Sequence, residues 1–189
     1  AWSFRELGEQ VGRVAAVLGE LGLGPGDRVA ILMRDTLDAA AVLLGVIHAG
    51  AVATPLSELL RAEGLRRHLE HAGAVAIAVD DALAPAVELV RRELPGLRHV
   101  LGVGLGLGGG GGEIDLGTRT HAIRPTPPVA VAADADCLLL YSAGTDDELR
   151  GVRHSHASAW AAQRSSAEHL GLGAGDRVLA INRLSMAFG

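Results

Sequence analysis

The strongest constraint on the fold is a rhythm in which short, fully apolar segments alternate with longer amphipathic ones. "RVAILM", "AVATPL", "AVAIAV" and "HVLGV" are each four to six residues long and read as buried strands. Between them lie segments of helical length, including residues 36–49, "SELLRAEGLRRHLEHAG" and residues 81–94. Ser3 and Glu6 in "SFRE" have capping-box spacing, which predicts a first helix with Leu7, Val11, Val14, Ala15, Leu18 and Leu21 on one face. Strands alternating with helices require right-handed crossovers between parallel neighbours. The expected fold class is therefore α/β, with doubly wound, mostly parallel sheets carrying helices on both faces.

The rhythm breaks at residues 102–128, where "GVGLGLGGGGGEIDLG" is followed by "RPTPP". Five consecutive glycines cannot hold one geometry, and no helix with an apolar stripe is evident after them, so this stretch reads as a solvated linker. The overlapping Gly-x-Gly patterns carry no weight as a dinucleotide fingerprint. The alternation then resumes with "DCLLLY" as a strand, "SHASAWAAQRSSAEHLGLG" as a helix and "DRVLAIN" as a strand. "LGLGPGDRVAILMR" at 21–34 returns as "LGLGAGDRVLAINR" at 170–183. Each is a helix end, a glycine turn and a buried strand. Two similar subdomains are expected, residues 1–101 and 129–189, joined by 102–128, the second incomplete.

Composition narrows the chemistry. Hydrophobic residues make up 49% and aromatics 3%, so the core must be built from Ala, Val and Leu. The net charge of −5 argues against nucleic acid or an anionic membrane as main partner. All 17 basic residues are arginines, which removes lysine Schiff bases, lysine general bases and lysine phosphate clamps. The single cysteine, Cys137, lies in an apolar run and is expected to be a small buried residue in a reducing, cytoplasmic setting. The most membrane-like window, residues 39–53, falls short of the ~20 residues needed to span a bilayer. The ends, "AWSF" and "SMAFG", read as cuts in something longer.

In order along the chain, "FRELGEQVGRVAAVL", "LGPGDRVAILM", "HAGAVATPLSELL", "YSAGTDDELRGVRHSH" and "LSMAFG" resemble the N-terminal part of the adenylate-forming enzymes. These are the acyl-CoA synthetases, peptide-synthetase adenylation domains and luciferases. "GAVATPLSELLRAEGLRRHLEHAGA" and "MAFG" are most similar to the benzoate-CoA ligase branch. The resemblance covers essentially all 189 residues but well under half of a family member. It implies a carboxylic acid substrate joined to ATP, with magnesium, as an acyl-adenylate, and transfer of the acyl group to coenzyme A or a carrier-protein thiol.

The family's phosphate loop reads roughly Tyr-Ser/Thr-Ser-Gly-Thr-Thr-Gly-x-Pro-Lys-Gly, a cradle of hydroxyls and amides for the β- and γ-phosphates. Segment 141–151 matches it at Tyr141, Ser142, Gly144, Thr145 and Gly151, and Arg150 stands in for the lysine. The resemblance thus implies nucleotide binding by Ser142, Gly144, Thr145, Arg150 and Gly151. Ala143 has lost a hydroxyl, while Asp146, Asp147, Glu148 and Leu149 fill the Thr, Gly, variable and Pro positions. A carboxylate about 4 Å from a phosphate charge is repelled by roughly 1 kcal/mol in water and ~4 kcal/mol in a partly desolvated loop. Arg150 offsets one such charge, so the repulsion wins and weak or absent ATP binding is expected.

Phe188, in the stretch resembling the family's pocket gate, is read either as lining an acyl pocket or as core. His154, Ser155 and His156 read as a loop-to-helix junction with Ser155 or Ser158 capping, not as a metal site. No catalytic residue is assigned, because the family's later motifs, among them its lysine, are not in the chain. The expected function is the N-terminal portion of an acyl-CoA or acyl-carrier ligase with a degenerate phosphate loop, not competent alone. The alternative is a non-catalytic docking domain derived from such a ligase inside a larger synthase. With few strands in its second part, an exposed edge is expected, and with it a dimer or contact with another domain of a longer protein.

Overall fold

The computed structural model describes residues 1–104, 113–142, 148–179 and 182–185. Its elements run α1 (Phe4–Glu20), β1 (Arg28–Leu32), α2 (Leu37–His48), β2 (Val52–Pro55), α3 (Ala62–Ala72), β3 (Ala76–Asp80) and α4 (Ala84–Arg91). They continue with β4 (His99–Val103), β5 (Glu113–Asp115), α5 (Leu116–Ala122), β6 (Asp136–Ser142), β7 (Arg150–Ser155) and α6 (His156–Leu170).

Among the described residues the strands form one seven-stranded sheet in the order β5-β4-β3-β1-β2-β6-β7. Every pair is parallel except β6 with β7. β6 lies beside β2 through Ala53 and Leu138, so the segments before and after 102–128 share this sheet. The chain leaves β1 toward β2 and then crosses back to β3 on the other side of β1, the reversal that defines a doubly wound sheet.

Successive strand residues point to opposite faces, and both faces are covered, as parallel sheets require. Val29 and Ile31 join Val14, Leu18, Val42, Val46 and Leu116 in a core beneath α1, α2 and α5. Ala30 and Leu32 join Leu65, Leu69, Val87 and Val90 in a second core beneath α3 and α4. The first helix starts as the sequence predicts: Ser3 and Glu6 form the reciprocal capping box. α1 and α2 pack closely because Gly45 lacks a side chain, and a Cβ there would sit 2.5 Å from Val14 Cγ1. No described helix is long and apolar enough to cross a membrane.

Three local readings change. Residues 113–122, placed in the linker from sequence, form β5 and α5. Asp115 caps that helix by accepting from the Thr118 N–H at 2.9 Å, and Leu116 and Thr120 are buried. A three-residue strand and a seven-residue helix are too short to show periodicity. Residues 150–155, the end of segment 141–151 and the residues after it, are not marked as a strand by their sequence, yet they return antiparallel along β6 as β7. Conversely, the strand expected in "DRVLAIN" is absent at residues 176–179, with Val178 and Leu179 exposed. No ladder forms there among the described residues, and an apolar pattern alone does not make a strand.

Candidate functional site

The site is built on the β6–β7 hairpin at the edge of the sheet. β6 carries Tyr141 and Ser142 to its end, and the antiparallel register sets Tyr141 opposite Gly151 and Ser142 opposite Arg150. Ser142 and Arg150 are exposed, flanking the loop. The Arg150 guanidinium pairs with Glu148 at 3.4 Å, so this cation already faces a carboxylate of its own segment. Gly151 sits over packed side chains: a Cβ would lie 2.9 Å from Leu139 Cδ1 and 3.5 Å from Tyr141 Cε1. The remaining candidates Gly144 and Thr145, with Ala143, Asp146 and Asp147, lie outside the described residues, as does Phe188.

Sequence reasoning missed what holds the loop end of this hairpin. The Tyr141 ring meets His68 and His71 of α3 edge-on, with centroids 4.7 and 5.6 Å apart. Its hydroxyl lies 2.9 Å from His71 Nδ1 and 3.5 Å from the His68 carbonyl oxygen. Burial pushes the Tyr141 hydroxyl above its ordinary pKa, opposed by the Arg28 charge. Burial also pushes His68 down, opposed by its bond to the Gly64 carbonyl at 2.7 Å. The three-residue spacing of the histidines shows that they share a helix face, but nothing local says that their partner lies about 70 residues on. An open cleft of about 610 Å³, lined by Arg67, Glu70, His71, Glu148 and Leu149, separates α3 from the loop side of the hairpin.

Beyond β7 the Ser155 cap forms as read, but the junction runs from strand to helix where a loop was expected. His154 is on the strand and Ser155 caps α6 by accepting from the Ser158 N–H at 3.1 Å. Among the described residues no three His, Cys, Asp or Glu side chains gather as a metal-holding group. Cys137 is buried, and burial raises its thiol pKa.

The two Gly-rich echoes share their helix end and aspartate closure, and differ at Gly26, whose φ is 86° while that of its counterpart Gly175 is not positive. Gly22 and Gly171 both take positive φ, 70° and 64°. The N–H of Gly24 donates to Asp27 Oδ2 at 3.0 Å, and that of Gly173 to Asp176 Oδ2 at 2.6 Å. After the second turn, Arg183 pairs with Glu58, and the Leu184 N–H donates to Asp35 Oδ1 at 3.2 Å.

Residues 1–189 match the family model described as AMP-binding enzyme. The chain is 28% identical over 187 residues to the 4-hydroxybenzoate–CoA/benzoate–CoA ligase of Rhodopseudomonas palustris, which covers 99% of this chain and 34% of that protein. Among solved structures, acetoacetyl-CoA synthetase from Streptomyces lividans superposes with a TM-score of 0.88 at 28% identity, over 97% of this chain and 30% of the other. An anthranilate CoA ligase in complex with anthranoyl-AMP gives 0.75 at 25% identity, over 82% and 30%. The chain thus spans about a third of the length of these relatives and corresponds to the N-terminal portion of such ligases. By the match along its whole length, the chain belongs to the AMP-binding enzyme family.

Proposed function

We propose that the chain is the N-terminal part of a carboxylate-activating ligase, forming an acyl-adenylate from ATP and passing the acyl group to coenzyme A or a carrier-protein thiol. Segment 141–151 is the part that meets the ATP phosphates, and it holds them weakly. The observation that carries this reading is the Arg150–Glu148 pair. The one basic group inside the segment is opposed from within it, and two further carboxylates, Asp146 and Asp147, stand in the same sequence. Each unscreened carboxylate–phosphate contact near 4 Å costs roughly 1 to 4 kcal/mol, depending on how much water remains. A single arginine does not offset three. Magnesium in this reading arrives with the nucleotide.

The proposal extends to partners. β7 ends the sheet with Val152 exposed, and α6 buries no residue while exposing Trp160 and Leu170. That edge is the place for another domain or another chain.

Calorimetric titration with ATP and magnesium tests the loop. The parent chain is expected to show no micromolar affinity, and the combined Asp146→Thr, Asp147→Gly and Glu148→Gln change to bind at least about tenfold tighter. Micromolar affinity in the parent would overturn the weak-loop reading. Unchanged affinity in the variant would place the deficit outside the loop.

A further inference from the structure

The repeated sequence ends in an arginine both times, Arg34 in the first copy and Arg183 in the second. In the first, the Arg34 guanidinium bonds Asp80 at 2.9 Å and Asp81 at 3.0 Å, at the carboxyl end of the neighbouring strand β3. In the second, Arg183 bonds Glu58, in the loop that leaves the carboxyl end of β2. The two arginines therefore do the same thing: each ties the far end of its turn-plus-apolar unit to a carboxylate at the carboxyl edge of the sheet. The second tie is doubled by the Leu184 N–H on Asp35, the residue just before the Thr36 cap of α2. The Leu184 side chain packs against the core beneath α1 and α2. With Ser185 it walls a cavity of about 10 Å³ against Met33, Leu43 and Leu56.

We infer that Asp35 and Glu58 are positioning residues: they fix segment 183–185 across the carboxyl ends of β1 and β2. Resting on the ligase reading above, this puts a segment at the carboxyl edge of the sheet, the edge at which doubly wound sheets bind ligands, under the control of two acidic residues more than 120 positions upstream. A charge-assisted bond and a carboxylate accepting a backbone N–H both outlast a neutral contact.

Amide hydrogen exchange at Leu184, resolved by NMR on the whole chain, tests the ties without depending on activity. Asp35→Ala and Glu58→Arg are each expected to speed exchange about tenfold, the loss of one charge-assisted bond. Asp35→Asn, which keeps an acceptor oxygen, and the charge reversal Glu58→Arg with Arg183→Glu are expected to stay close to the parent. Free exchange at Leu184 in the parent, or no rescue by the charge reversal, would overturn the inference. Titration with benzoate reads the ligase proposal separately. Resonances of 183–185 that move with benzoate in the parent but not in Asp35→Ala support the positioning role at that edge. Intact ties with no response to benzoate count against the ligase proposal alone.

Discussion

Gly151 offers a test that separates a phosphate-contacting glycine from a packing one. In the structure its missing Cβ would be 2.9 Å from Leu139 Cδ1 and 3.5 Å from Tyr141 Cε1, against a usual carbon–carbon separation of about 3.5–4.0 Å. Leu139 is buried in the core beneath α3 and α4, so its methyl has little room to retreat. Overpacking of this kind costs about 1–3 kcal/mol, while replacing a strand glycine by alanine returns about 0.5–1 kcal/mol of backbone entropy. The clash involves the tip of one side chain and not backbone, which favours the low end, so after the returned entropy Gly151→Ala should destabilise by about 0.5 kcal/mol net. Shortening the obstacle should remove the penalty: in a Leu139→Val background the same Gly151→Ala change should be neutral or slightly stabilising. Urea unfolding of the four proteins, read as a double-mutant cycle, gives the coupling, expected at about 1 kcal/mol or more. An unchanged cost in the Leu139→Val background would refute the packing account. So would a stability-neutral Gly151→Ala that abolished ATP binding by an Asp146→Thr, Asp147→Gly chain.

Gly45→Ala should be worse than Gly151→Ala, destabilising by about 2 kcal/mol with partial rescue by Val14→Ala, because the new Cβ meets both Val14 Cγ1 and Cβ within 2.6 Å; urea midpoints check it. Ser155→Ala removes the α6 cap and should cost about 1 kcal/mol locally, seen as faster amide exchange in the first turn of a helix that buries nothing. Tyr141 is the sole tyrosine, so absorbance at alkaline pH titrates it alone. Its raised folded pKa gives stability that is complete below its unfolded value and lost as pH climbs through the folded one, and a titration below the ordinary tyrosine range would contradict its burial. His68 has the opposite sign. Its depressed folded pKa gives stability present above the unfolded histidine value and lost as pH falls through the folded one, which an NMR titration of its ring checks.

What the sequence reveals, and where it stops, is clearest in its own repeat. From "LGLGPGDRVA" one reads a helix end, a left-handed glycine and an aspartate-closed turn, and the structure builds each of them at both copies. Even the bond that closes the helix end recurs, from the Leu23 N–H to the Leu18 carbonyl and from the Leu172 N–H to the Ala167 carbonyl, both at 2.9 Å. These features are legible because every donor and acceptor lies within six residues. The fate of the apolar segment after each turn is not local. Residues 28–32 become β1 because β2 and β3 flank them, and Leu23 is buried because a sheet lies beneath it. Residues 177–179 carry the same apolar pattern, lack a ladder partner among the described residues, and stay exposed. The candidate site divides in the same way. The resemblance in motif order singles out 141–151 as a candidate, yet the Tyr141–His71 contact and the Arg183–Glu58 tie depend on which strands become neighbours. Only the chain order of the sheet, with β6 placed beside β2, brings α3 under the hairpin and the second arginine over the carboxyl edge. Local chemistry therefore fixes the parts of this site, while topology decides which charges they meet.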